Sequence, residues 1–150
     1  MTGTDAAGRT RAAWGRPRVS AVAMVVVGLG YAVLYPVLMG TSQPGWVWDD
    51  PARNAAMEHM LYAVYVTLGI FLIGLAREPE RALPLINWVI VANLVHGTVM
   101  LVHALGMPGG HAHLLPTGDV WGTYSGPLLL LACHPRLHRR RDRLDRDGDD

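Results

Sequence analysis

Four apolar stretches occupy the sequence between Val19 and His134. The first, Val19 to Gly40, holds no charged residue and matches the roughly 20 apolar residues needed to cross a bilayer. The second runs from about Asn54 to Ala76 and the third from about Ala82 to Leu105. The fourth, about Thr117 to His134, is shorter and barely spans. A segment in lipid must pair its backbone polar groups internally, so each stretch reads as an α-helix. The links between them are short, which favours antiparallel neighbours. A chain of 150 residues makes one domain. The predicted fold is all-α: a four-helix transmembrane bundle of up-down topology, with helices at about 19–40, 54–76, 82–105 and 117–134.

Charge orients this bundle. The net charge is only +1, yet the chain carries 13 arginines and no lysine. Arg9, Arg11, Arg16 and Arg18 precede the first stretch. Arg77 and Arg81 lie in the tight link between the second and third. Arg136, Arg139, Arg140, Arg141, Arg143 and Arg146 follow the fourth. Only Arg53 falls elsewhere, so 12 of the 13 lie on one side of a four-pass topology. The positive-inside rule makes that side cytoplasmic. Both termini are expected there, and loops 41–53 and 106–116 face out. Trp46, Trp48, Trp121 and Tyr124 gather at the outer boundary, where amphipathic rings settle; Trp88 lies towards the inner one. Arginine flanking apolar helices is read as a topology signal, so no nucleic-acid partner is expected. The expected partner is the lipid bilayer of a bacterial inner or plasma membrane.

The ends differ from the middle. Residues 1–18 lack periodicity and read as a disordered basic N-terminus. Residues 136–150 read as a charged cytoplasmic tail. The first apolar run is too long for a signal-peptide core and lacks a clean cleavage site, so it is expected to remain as an anchor. Cys133 is the only cysteine, which excludes an intrachain disulfide. Pro36 is expected to kink or end the first helix, Pro51 to introduce the second, and Pro79 and Pro84 to bound the inner turn. Gly118, Gly122 and Gly126 stand four residues apart. Such a stripe suits close helix packing, within the chain, in a homo-oligomer or against a membrane partner.

Ionisable residues inside apolar stretches are costly in lipid and count as functional candidates. Glu58, His59, His96, His103, His113 and Asp119 lie towards the outer ends of the stretches, and His111 sits in the loop nearby. Asn93, His96, Met100 and His103 share one helix face by spacing. Glu58, Tyr62 and Tyr65 share a face of the second helix, with His59 at its border. The ligand-binding or proton-handling candidates are Glu58, His59, Tyr62, Asn93, His96 and Asp119. Each has a plainer reading. Asp119 suits the first turn of a helix, where its charge meets the helix dipole. His111 and His113 read as solvated loop histidines, and His103 as an interfacial side chain. A Glu58–His96 or Glu58–His103 pair could simply join two helices.

Carboxylate with imidazole is a donor set for Zn, Fe or Cu. His96 and His103 stand two turns apart, too far to share an ion whose ligands lie about 2 Å from it. A metal site would therefore use His103 with Glu58 or His59, and His113 or Asp119 as a further ligand. Methionines at 39, 57, 60, 100 and 107 would suit Cu(I), although methionine in an apolar helix is ordinarily packing. A haem between His59 and His96 is a further candidate. Proton relay through Glu58 and His96 needs no cofactor.

Several of these residues carry a resemblance. Glu58-His59-Met60, Val64-Tyr65 and Leu68-Gly69-Ile70-Phe71-Leu72 resemble the second helix of a bacterial family of small four-helix membrane proteins of unknown function. The likeness continues through Pro79, Leu85-Ile86, Val95-His96, Met100, Leu114-Leu115 and Gly118-Asp119, and covers roughly residues 19–135. It implies fold and membrane location but no reaction. Its motif residues coincide with Glu58, His59, His96 and Asp119; His103, His111 and His113 are less characteristic of it.

Two functions follow as expectations. The first is a membrane protein with a Glu/His/Asp pocket in the outer half of the bundle, binding a metal, haem or small ligand. The second is a structural or accessory subunit in which the same residues only join helices. Four helices make a small conduit, which disfavours a transporter acting alone.

Overall fold

A computed structural model describes residues 18–40, 46, 48 and 55–137, with the side chains of 55–58 excepted. The expected N-terminal disorder, most of the charged tail, Pro51 and the side chain of Glu58 lie outside the described residues. The chain is all-helical, with no strand among the described residues. Helix α1 covers Arg18–Gly40, α2 Ala55–Leu75, α3 Leu83–Gly106 and α4 Asp119–Ala132. A 3-10 turn at Gly110–Leu114 lies between α3 and α4.

Pro36 neither ends nor breaks α1. The helix widens just before it instead. Gly30–Leu34 form a π turn, in which the Tyr35 N–H donates to the Gly30 carbonyl. A helical proline has no N–H and its ring crowds the carbonyl four residues back, here that of Ala32. One extra residue in the preceding turn opens that space, and the helix continues as Tyr35–Gly40.

Helices α1 and α2 cross through small residues. A Cβ on Gly28 would stand 2.8 Å from the Gly69 carbonyl oxygen, and one on Gly69 would meet the Ala32 backbone at the same separation. Only bare Cα atoms let the two backbones come this close. The core below and beside the crossing contains Met24, Leu72, Ile86, Val89 and Leu130.

The α2–α3 turn is closed by backbone bonds from Glu78 to Leu75 and from Arg81 to Glu78. Pro84 lies in the first turn of α3, where a missing N–H costs nothing. At this end of the molecule the Ser20 hydroxyl donates to the Cys133 carbonyl at 2.6 Å. His134 Nε2 meets Asn87 Oδ1 at 3.0 Å. These two contacts tie α1 and α3 to the segment just past α4. At the other end Gly109, with φ of 79°, turns the chain from α3 into the 3-10 turn.

Helices α1 and α3 are long and apolar enough to cross a membrane, with mean hydropathies of 2.2 and 1.8; the described apolar part of α2, His59–Leu75, is shorter. Both long helices turn an apolar stripe outward. On α1 it comprises Val19, Val22, Val26, Leu29 and Val33; on α3, Val91, Val95, Val99 and Val102.

Candidate functional site

The most connected polar cluster sits where the loops meet the start of α4. Gly118 caps that helix without a side-chain bond, and Asp119 is its first residue. Asp119 is buried, at 2% exposure. Its Oδ2 accepts from Trp48 Nε1 at 2.7 Å. Its Oδ1 meets His113 Nδ1 at 3.0 Å. The Trp48 indole stacks on the His113 ring, with centroids 3.9 Å apart. His113 is thus buried rather than solvated, because the 3-10 turn points its ring at Asp119 beneath an indole. Thr123 Oγ1 donates back to the Asp119 carbonyl at 2.9 Å, one turn along α4.

Two further indoles close the same cap. Trp46 Nε1 donates to the Thr117 carbonyl at 2.7 Å. Trp121 Nε1 donates to the Leu114 carbonyl at 2.8 Å. These tryptophans satisfy loop carbonyls that no helix would satisfy. Gly118 allows the closure, since a Cβ there would collide with the His113 carbonyl.

The other candidates fall in different places. Asn93 is buried on α3; it accepts from the Tyr65 hydroxyl at 3.0 Å and donates to the Val89 carbonyl at 2.9 Å. His96, one turn further on, is half-buried with its ring 6.2 Å from that of Tyr65. Tyr62 packs edge-on between Tyr35 and His59, at 5.9 Å and 5.8 Å. His59, His103 and His111 are exposed. Asp119 and His113 are therefore brought together, and Asn93 is joined to Tyr65. Among the described residues no three of His, Cys, Asp or Glu converge to hold a metal ion. The candidate metal pair His103 and His113 thus has no completed donor set there.

Sequence reasoning missed Trp48 as the partner of Asp119, and Tyr65 as that of Asn93. Helical spacing could flag Tyr65, which shares a face with Tyr62. No spacing signal could flag Trp48, because it reaches Asp119 from a loop.

The sequence profile of a family of unknown function matches residues 16–148. The chain belongs to DUF6632. No protein of curated function and no solved structure matches it. The DUF6632 match spans all four helices, so the Asp119 cluster and the Tyr65–Asn93 pair both lie within the family region. In this DUF6632 chain both carboxylate oxygens of Asp119 are engaged and the group is closed to solvent. The cluster links Trp48, the 3-10 turn and the first residue of α4.

Proposed function

We propose that the chain is a multi-pass membrane protein whose buried polar residues join helices, and that it serves as a structural or accessory element of the bilayer. The observation that carries this reading is the direction of its apolar surface. The most apolar windows of α1 and α3 are only 33% and 28% buried inside the chain. Much of the rest is outward-facing valine and leucine, with Val22 at 59% and Val102 at 63% exposure. Large contiguous apolar surface of this kind calls for a partner, and lipid covers it along the whole length of each helix.

Helix α4 has 14 residues, about 21 Å at the α-helical rise, against a hydrocarbon core of about 30 Å. The cap around His113 above it supplies the remaining depth. Irregular backbone is tolerated at membrane depth where protein buries and pairs it. Trp46 and Trp121 pair the Thr117 and Leu114 carbonyls there, and Trp48 pairs the Asp119 carboxylate. In this reading the arginine-rich side is cytoplasmic, both termini included, and the cap faces out.

The joining role is tested on the detergent-purified full chain by thermal unfolding, with and without Zn²⁺, Cu²⁺ or Fe²⁺. We expect Asp119→Asn to lower Tm, and no metal to raise the wild-type Tm saturably. A saturable rise that His113→Ala abolishes would favour the metal-site reading instead.

A further inference from the structure

The seam between α1 and α4 stays open along much of its length. A cavity of about 330 Å³ lies at its arginine-rich end, with Arg18, Val19, Val22, Val26, Leu129 and Cys133 in its lining. A second cavity, of about 280 Å³, continues from it towards the outer cap, and Val26 and Leu129 line both. Gly122 and Gly126 line the second cavity, where α4 offers α1 no side chain to fill the seam. Val19, Val22, Val26 and Leu129 are themselves exposed, so the groove opens sideways onto the apolar surface.

Length and charge together select an occupant. Tyr31, on the wall of the second cavity, stands 13 residues beyond Arg18, about 20 Å along the helix. One leaflet contributes half of a hydrocarbon core about 30 Å thick, so a fatty acyl chain that enters at Arg18 lies wholly within the groove. Among the described residues lining the two cavities, Arg18 alone is charged. It is exposed at the mouth and makes no ion pair with a described residue. The bond from the Ser20 hydroxyl to the Cys133 carbonyl holds the start of α1 against the end of α4. Arg136, also exposed, follows three residues later at the same rim. A guanidinium takes phosphate oxygens in a bidentate fork. A zwitterionic headgroup would bring its own ammonium against these arginines, and an anionic headgroup does not. Basic pockets between membrane helices on the cytoplasmic side hold anionic headgroups in this way.

We propose that this groove holds one anionic phospholipid of the inner leaflet, with its phosphate on Arg18 and one acyl chain lying between α1 and α4 past Val22, Val26 and Leu129. The proposal rests on the membrane reading above and names the lipid partner.

The probes are phosphatidylglycerol and phosphatidylcholine with identical acyl chains. Each is titrated into the detergent-purified full chain, and adducts are counted by native mass spectrometry. We expect phosphatidylglycerol to saturate at one adduct per chain, at a lower concentration than phosphatidylcholine. Arg18→Gln should weaken phosphatidylglycerol binding about fivefold, the effect of one arginine at an anionic surface. Arg77→Gln removes an exposed arginine that does not line the groove, and should leave binding unchanged. Val22→Trp should block the groove and abolish the single adduct. Val33→Trp, on exposed α1 surface that lines neither cavity, should not. Both positions face outward, so both variants should fold. Equal retention of the two lipids, equal loss in the two arginine variants, or an adduct that survives Val22→Trp would overturn the proposal. A chain that stays in alkali-washed membranes yet shows no preference for phosphatidylglycerol would overturn the lipid site and leave the membrane reading intact. Release of the chain by that wash would overturn both.

Discussion

Trp48 and Asp119 are 71 residues apart in the sequence, and the indole Nε1 of one donates to the carboxylate Oδ2 of the other at 2.7 Å. This bond ties the segment after α1 to the first turn of α4. His113 completes the joint by meeting the other carboxylate oxygen and stacking against the same indole. A buried carboxylate left with an empty oxygen is destabilising, so the partners are expected to be coupled.

Trp48→Phe keeps the stacking ring and removes the donor. We expect it to destabilise the detergent-solubilised chain by about 1–3 kcal/mol, as for other hydrogen bonds to charged groups. Asp119→Asn should cost a similar amount. The double variant should cost clearly less than the two single losses combined, because both remove the same bond. Reversible SDS unfolding of the four proteins measures the coupling; strict additivity would contradict it.

Gly118→Ala tests the closure from the backbone side. The new methyl would run into the His113 carbonyl, which is rigid backbone. The 3-10 turn must then move away from Asp119. We expect a loss of about 1–3 kcal/mol, in the range of other overpacked sites. Quenching of Trp48 fluorescence by the stacked His113 ring should fall in parallel. An unchanged unfolding curve would contradict the packing.

His134 lies past the end of α4, at 7% exposure. Its Nδ1 accepts from the Arg136 N–H at 3.3 Å, and its Nε2 faces Asn87 Oδ1. That arrangement fits a neutral ring donating from Nε2. Burial holds its pKa below the usual value of 6.5, and the Arg136 guanidinium lowers it further. A lowered folded pKa means that the unfolded chain takes up the proton more readily. Stability is therefore unaffected by this group above pH 6.5 and is lost as the pH falls below it. Thermal unfolding between pH 8 and pH 5 should show a steeper decline for the wild type than for His134→Gln. Parallel pH profiles would contradict this.

Helical character was legible because an apolar stretch read as crossing lipid has no other way to pair its backbone. The absence of charge from Val19 to Gly40 marks α1 as surely as its length does. What the sequence concealed were contacts made by loops. Trp48 lies in a loop with no period to point it at Asp119. His113 looks solvated among glycine and proline until the 3-10 turn buries it. The four-residue spacing of Gly118, Gly122 and Gly126 suggests one helix face, but the structure divides the three. Gly118 precedes α4 and faces His113; Gly122 meets Trp46, and Gly126 meets Tyr31. The tightest α1–α2 approach runs through Gly28 and Gly69, which stand on different helices and share no local spacing. Proline at 36 signals strain, yet only the folded chain shows that a π turn absorbs it.

We propose that the chain crosses the membrane four times with its arginine-rich side inside. Cysteine labelling in intact cells tests it most directly. His111 lies in the outer cap and Arg81 in the α2–α3 turn, and both side chains are exposed. In a Cys133→Ser background, His111→Cys should react with a membrane-impermeant maleimide added to intact cells. Arg81→Cys should react only after the membrane is permeabilised. Labelling of Arg81→Cys in intact cells, or loss of the protein from membranes on alkaline washing, would contradict the account.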